Sequence, residues 1–242
     1  MAKFSFLCIQ ITIGLDILGI YALGFLGQAL FGARLVVQLF QSEKQKKVVS
    51  PVIFWQLSLA ASLLFLIYGI IREDAVIIIG QTLSYFIYIR NLQLKQAWKT
   101  IPILIRGLLI PLPFLAIAFA ASAIPPAAWD AHSADLIHPV MILGAVGQLA
   151  LNLRFVYQWY YSERSKASLL PIGFWHISTW ASVLVIIYSV FHPIHGWDPV
   201  LLVSQSFGIV VYARNIIIYK RSEKMKLNDL CKSTHDTGVI NE

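Results

Sequence analysis

Two arginines stand in the middle of long apolar runs, and each heads the same short series of polar residues. Arg34, Gln38 and Ser42 are spaced i, i+4, i+8, as are Arg154, Gln158 and Ser162. That spacing puts each set on one face of a helix. Gln28 and Gln148 lie farther along the same two runs. Gln81, Tyr85 and Tyr88 form a second face, whose ends recur as Gln205 and Tyr212 while Tyr85 becomes Ile209. Arg90-Asn91 and Arg214-Asn215 close two further runs. A charge at bilayer depth costs about 2.5–3.5 kcal/mol on insertion scales, so such residues face a bundle interior and mark a function. Guanidinium groups match phosphate oxygens bidentately, which makes a phosphate headgroup the ligand these residues would take. Gln28, Arg34, Gln38, Gln81, Tyr88, Arg90 and Asn91 are the candidate binding residues of the first set. Gln148, Arg154, Gln158, Gln205, Tyr212, Arg214 and Asn215 are those of the second.

Simpler readings stand beside this one. Arg34 lies about 12 Å from Ser42 by helix rise, a distance a long arginine partly covers by snorkelling. It could also brace the bundle by pairing with Glu43 or with a carboxylate on another helix. Interhelical hydrogen bonding explains Gln81, Tyr85 and Tyr88 equally well. Capping and anionic-lipid contact explain Arg90-Asn91 and Arg214-Asn215, with headgroup binding at an inner gate as the alternative. Gly24, Gly27, Gly144 and Gly147 suit close helix approach. Trp55 and Trp175 suit an interfacial aromatic belt. Pro51 and Pro171 open helices, as first-turn prolines do without any further role, although a hinge is conceivable.

Chemistry of other kinds finds little support. Glu43 and Glu163 start loops with no acid–base partner arrangement, and there is no nucleophile elbow, phosphate loop or zinc motif. No cofactor is expected. His192 and His195 make a short pair without a complete metal-ligand set. Cys8 and Cys231 lie at opposite ends and define no disulfide framework.

The elements that must position these residues are membrane-length helices. The chain has 242 residues, 58% hydrophobic and 13% charged, against roughly 25% charged in globular chains. Seven runs reach the ~20 residues a bilayer crossing takes: 17–40, 51–71, 75–94, 103–124, 139–160, 171–191 and 199–219. The net charge of +7 sits between the runs, where it orients a membrane protein; it does not form a nucleic-acid surface. Apart from Arg34 and Arg154, only Lys3 and Arg72 fall on the amino-terminal side, so the amino terminus is expected outside and the carboxyl terminus in the cytoplasm. Residues 1–16 are read as a retained interfacial segment or an extension of the first helix, and 220–242 as a disordered cytoplasmic tail.

Residues 24–94 repeat as 144–218. At an offset of 120, Gly24, Gly27, Gln28, Arg34, Gln38, Ser42-Glu43, Lys46, Pro51, Phe54-Trp55, Ser58 and Tyr68 find identical partners. After a four-residue insertion that includes His195-Gly196, Asp74, Gln81, Tyr88 and Arg90-Asn91 match at an offset of 124. Each unit holds three runs, and the run at 103–124 has no partner. The expected architecture is all-α and integral to the membrane: a first three-helix repeat over 17–95, a linker helix and external loop over 96–138, and a second repeat over 139–219. This 3+1+3 plan makes the repeats parallel, a transporter design with the site at the repeat interface.

Gly-x-x-Gly-Gln, Arg34, Gln38, Ser42-Glu43-Lys44, Pro51, Phe54-Trp55, Gln81 and Tyr88-x-Arg90-Asn91 together resemble the lipid-A-disaccharide synthase amino-terminal domain family. The second unit carries the same pattern through Arg154, Gln158-Trp159, Ser162-Glu163-Arg164, Pro171, Phe174-Trp175, Gln205 and Tyr212-x-Arg214-Asn215. The family is similar in architecture to PQ-loop and SWEET transporters. The resemblance implies lipid A biosynthesis and a bacterial inner membrane. Its name implies a glycosyltransferase, but no segment here is long enough for a soluble nucleotide-sugar fold, so no catalysis by this chain is expected.

Two functions follow. One is a carrier or flippase for a lipid-linked, phosphate-bearing sugar or a lipid A-related lipid. The other is a non-transporting module that recruits or feeds lipid to a separate glycosyltransferase, with Lys44, Lys46, Lys47, Arg164 and Lys166 as its docking surface. Expected partners are membrane lipids, that glycosyltransferase and possible further copies of the chain, with no nucleic acid.

Overall fold

The computed structural model describes residues 17–71, 75–123, 139–191 and 199–238, and all regular structure among them is helical. Helices α1 (Ile17–Gln45), α2 (Val52–Ile71) and α3 (Ala75–Leu94) come first. A 3-10 turn, Ala97–Thr100, leads into α4 (Ile103–Leu109) and α5 (Leu112–Ala123). Then follow α6 (Pro139–Ser165), α7 (Ile172–Val190) and α8 (Pro199–Gly238). By length and composition, four helices contain stretches able to cross a membrane: Ala22–Gln45, Val52–Ile71, Ile172–Val190 and Leu202–Cys231.

The packing follows the repeat. Helix α2 packs against both α1 and α3, and α7 packs against both α6 and α8. The two groups meet along two seams, α3 against α6 and α8 against α1. Small residues allow the close approach within each group. A Cβ at Gly27 would sit 2.7 Å from the Phe65 ring, and one at Gly147 would sit 3.0 Å from the Ala181 carbonyl. One core runs through both groups, with Phe54, Trp55, Tyr88 and Leu92 on one side and Phe155, Phe174, Trp175 and Tyr212 on the other.

The ends of α1 and α6 are built alike. Lys46 and Lys166 take left-handed φ values of 52° and 51°. Lys46 N–H bonds the Glu43 carbonyl and Lys47 N–H the Ser42 carbonyl; Lys166 and Ala167 do the same with Glu163 and Ser162. This is a Schellman stop, which usually takes glycine. Pro51 and Pro171 then precede the first turns of α2 and α7, where a missing N–H costs nothing.

Three expectations are corrected. Trp55 and Trp175 are 0% exposed, packed edge-on against Phe54 and Phe174 at 4.7 and 5.0 Å; they fill the core and do not form an interfacial belt. The tail read as disordered is helical to Gly238. Its Lys, Glu, Met and Leu residues are good helix formers, and Lys226 pairs with Glu223 one turn away. The run at 103–124 is interrupted: α4 ends at Leu109 and α5 starts at Leu112, because Pro111 removes a donor and crowds the preceding turn. Residues 1–16 and the His192/His195 pair lie outside the described residues.

Candidate functional site

Near the helix ends that carry Glu43 and Glu163, here termed the basic end, four amides join the two groups. Gln38 Nε2 donates to Asn215 Oδ1 at 2.8 Å, and Asn215 Nδ2 donates back to Gln38 Oε1 at 3.1 Å. The mirror pair is Gln158 with Asn91, at 2.9 and 3.1 Å. Each pair links the glutamine of one repeat to the asparagine of the other. All four side chains are 0% exposed. Both glutamines also reach the local turn, Gln38 through Ser42 and the Val49 carbonyl, Gln158 through Ser162 and the Leu169 carbonyl. Between the pairs, the Ser50 hydroxyl donates to the Ser168 carbonyl at 2.8 Å, and the Ser168 hydroxyl donates to Asn91 Oδ1 at 2.7 Å.

Ion pairs cross the same boundary one turn away. Arg90 meets Glu163 through Nε and Nη2 at 2.7 and 2.5 Å. Arg214 meets Glu43 through the same two nitrogens. Glu43, one partner weighed for Arg34, is therefore engaged elsewhere. The Arg90 guanidinium, helped by Lys166, holds the Glu163 carboxyl down at about 2. The remaining loop cations, Lys44, Lys46, Lys47 and Arg164, are exposed.

Beyond the amide layer lies a layer of two arginines. Arg34 is 5% and Arg154 7% exposed. Arg34 Nη1 donates to the Ser58 and Tyr88 hydroxyls at 2.9 and 3.1 Å. Arg154 Nη1 donates to the Ser178 and Tyr212 hydroxyls, both at 3.0 Å. Ser58 and Ser178 are held as acceptors because their own protons go to the Phe54 and Phe174 carbonyls. One ring, Phe155, lies 5.2 Å from the Arg34 guanidinium carbon and 5.1 Å from that of Arg154, within cation–π range. Neither arginine forms a salt bridge among the described residues. The Nε of each is buried without a hydrogen-bond partner.

Both arginines open onto a cavity of about 350 Å³ between the two groups, within the ~300–1,000 Å³ usual for ligand sites. Of the residues singled out in the sequence, Gln28, Arg34, Gln81, Tyr88, Gln148, Arg154, Gln205 and Tyr212 line it. Gln38, Arg90, Asn91, Gln158, Arg214 and Asn215 do not; they form the amide and ion-pair layers described above. Tyr85 turns away and donates to the Leu109 carbonyl of α4 at 2.9 Å. Its repeat partner is Ile209.

Asn152, Ser84 and Ser204 also line the cavity and were missed. Asn152 falls opposite Gly32 in the repeat alignment, so the repeat gives it no polar counterpart. Ser84 lies four residues before Tyr88, on a face already identified. No Asp, Glu or Lys lines the cavity among the described residues. Among those residues the two guanidinium groups face neutral amides and hydroxyls, which offer donors to an anion.

Comparison with known proteins gives the same two units. The sequence profile of the lipid A biosynthesis N-terminal domain matches residues 23–93 and 143–217. A lipid-A-disaccharide synthase of Chlamydia pneumoniae is 26% identical over 85% of this chain and 34% of its own length. Those of Chlamydia felis and Chlamydia abortus are 29% and 30% identical, each over 84% of this chain and 34% of theirs. The chain thus spans about a third of the length of these relatives. No solved structure is a significant match. The chain belongs to the lipid A biosynthesis N-terminal domain family, whose pattern it carries twice.

Proposed function

We propose that this protein is an inner-membrane carrier or flippase for a lipid whose headgroup carries phosphate and sugar. In this reading the chain crosses the membrane seven times in a 3+1+3 arrangement, with the amino terminus outside and the basic end in the cytoplasm. One observation carries the proposal: two buried arginines from equivalent places in the two repeats face one cavity with no carboxylate among the described residues to neutralise them. A buried charge without a partner is costly, and an anionic headgroup supplies the missing charge. The amides of Gln28, Gln81, Gln148, Gln205 and Asn152 fit the hydroxyls of a neutral sugar. The amide and ion-pair layers would seal the cytoplasmic end.

The test is translocation in liposomes containing the purified protein. A fluorescent undecaprenyl-phosphate sugar and a lipid A precursor are the probes. Movement that depends on the protein is expected, and Arg34→Gln/Arg154→Gln is expected to abolish it. Monodispersity and thermal unfolding of the double variant establish that it is folded. Native-like movement by a folded double variant would sink the headgroup role.

A second reading is favoured by the relatives. Their printed name is lipid-A-disaccharide synthase, and this chain corresponds to only a third of their length. In this reading the protein is a membrane module that presents lipid to such an enzyme. Crosslinking in cells from Lys47 and Arg164 positions distinguishes the two. Capture of a lipid-A-disaccharide synthase, with no lipid movement in liposomes, selects the module.

A further inference from the structure

The repeat creates two seams around the cavity, and they are not equivalent. At the seam between α3 and α6, Gly80 is filled in: a Cβ there would lie 3.2 Å from the Asn152 amide nitrogen. The corresponding positions at the other seam are Ser204 on α8 and Gly32 on α1, by the offsets of 124 and 120. Both line the cavity. A Cβ at Gly32 would meet nothing within 4 Å. Gly32 stands where the second repeat has Asn152, so the α1–α8 seam lacks the side chain that plugs its counterpart. Exposed apolar side chains share the Gly32 face of α1, Phe25 at i−7 and Val36 at i+4, and on α8 Val203 and Val210 stand at i−4 and i+3 from Phe207. Phe207 lines the cavity and is 44% exposed.

The arginine layer shows how a headgroup would be held. Arg90 and Arg214 grip their carboxylates through Nε and Nη2. Arg34 and Arg154 spend only Nη1 on protein oxygens, and their Nε atoms are unpartnered. The Nε–Nη2 edge of each is thus not spent on protein oxygens, although Nε is buried, so a phosphoryl group grips it bidentately only once the side chain turns toward the cavity. Both guanidinium carbons lie within 5.2 Å of the Phe155 ring centroid. A phosphoryl lipid held there must route its hydrocarbon tail out of the cavity between helices.

We infer that the ligand is an amphiphile whose phosphoryl headgroup sits between Arg34 and Arg154 and whose tail leaves sideways through the α1–α8 seam at Gly32. This rests on the headgroup reading above and adds the path of the tail. Gly32 is then the residue that makes the site accept lipids as well as soluble phosphates.

The experiment measures binding to the full chain in detergent micelles with two probes, a soluble hexose 1-phosphate and a polyprenyl-phosphate hexose. The variants are Gly32→Leu and, as a control, Gly107→Leu, at a linker glycine whose surroundings are equally open. Gly32→Leu should leave the soluble probe bound as before and weaken the lipid about tenfold or more, the equivalent of losing contact with two methylenes. Gly107→Leu should change neither. Undiminished lipid binding by Gly32→Leu overturns the tail path while leaving the headgroup site standing. Loss of both probes in Gly32→Leu also overturns it, because the side chain would then be filling the headgroup site. Failure of the unmodified protein to bind the soluble probe overturns the headgroup reading, and the tail path with it.

Discussion

The two amide pairs at the basic end are nearly identical, and one difference between them makes a quantitative prediction. Asn91 and Asn215 each donate to a backbone carbonyl four residues back and exchange two hydrogen bonds with a glutamine of the other repeat. Asn91 alone also accepts from the Ser168 hydroxyl, at 2.7 Å. Replacement by leucine keeps the heavy-atom count and the branch at Cγ and removes the polar group. In either variant the partner glutamine loses one donor and one acceptor contact at a site that is 0% exposed. A buried polar group left unmade costs about 1–3 kcal/mol, because water cannot replace the partner. Averages for interhelical bonds in membranes are lower, about 0.6 kcal/mol each, since the unfolded chain finds other partners there. With two groups affected, Asn215→Leu should cost about 2–4 kcal/mol. Asn91→Leu should cost about 1 kcal/mol more, the worth of the extra serine bond. Reversible unfolding in mixed micelles gives both values. The double variant Asn91→Leu/Gln158→Leu should cost less than the sum of its parts by about 1–3 kcal/mol. Equal losses at positions 91 and 215, or strict additivity in the cycle, would refute the network as drawn.

Three further outcomes are expected. Gly147→Ala places a Cβ 3.0 Å from the Ala181 carbonyl and should cost about 1–3 kcal/mol through overpacking, whereas Gly32→Ala meets nothing and should gain up to about 1 kcal/mol of helix propensity; the same unfolding assay ranks them. Lys46→Gly relieves the left-handed φ of 52° and should stabilise the fold by about 1 kcal/mol, read as a raised unfolding midpoint. Glu163 titrates near 2 instead of 4.5. A depressed carboxylate stabilises the fold fully above its unfolded value and loses that contribution as pH falls through its folded one. The midpoint difference between the native protein and Glu163→Gln should therefore be constant above pH 4.5 and vanish toward pH 2.

Much of the site could be read from the sequence because polar residues in apolar runs are few and were matched by a repeat. Arg34 with Arg154, Gln81 with Gln205 and Tyr88 with Tyr212 recur at fixed offsets, and all six line the cavity. Their division of labour could not be read. Arg34 and Gln38 are one turn apart on one helix face, yet one borders the cavity and the other is bonded to Asn215. Helix periodicity gives direction around an axis, whereas the depth of a partner helix decides which residue meets it. Trp55 shows the same limit. Position in the chain suggested an interface, but burial depends on what α3 brings against it, and Tyr88 lies 6.1 Å away.

By itself the sequence determined the all-helical class, the duplicated unit, the family and the polar residues that matter. Each of these depends on composition or on spacing along one chain, and needs no contact between distant residues. Only the tertiary structure decided that glutamine and asparagine pair across the repeats, that Glu43 and Glu163 take Arg214 and Arg90, and that both deeper arginines lack a counter-charge among the described residues. It also decided that the two seams differ, since an open space at Gly32 is a property of what the neighbouring helix leaves unfilled. Hydrogen bonds and ion pairs act over a few ångströms, so which of several chemically suitable partners is used is settled by packing, and packing is set by helices far apart in the chain.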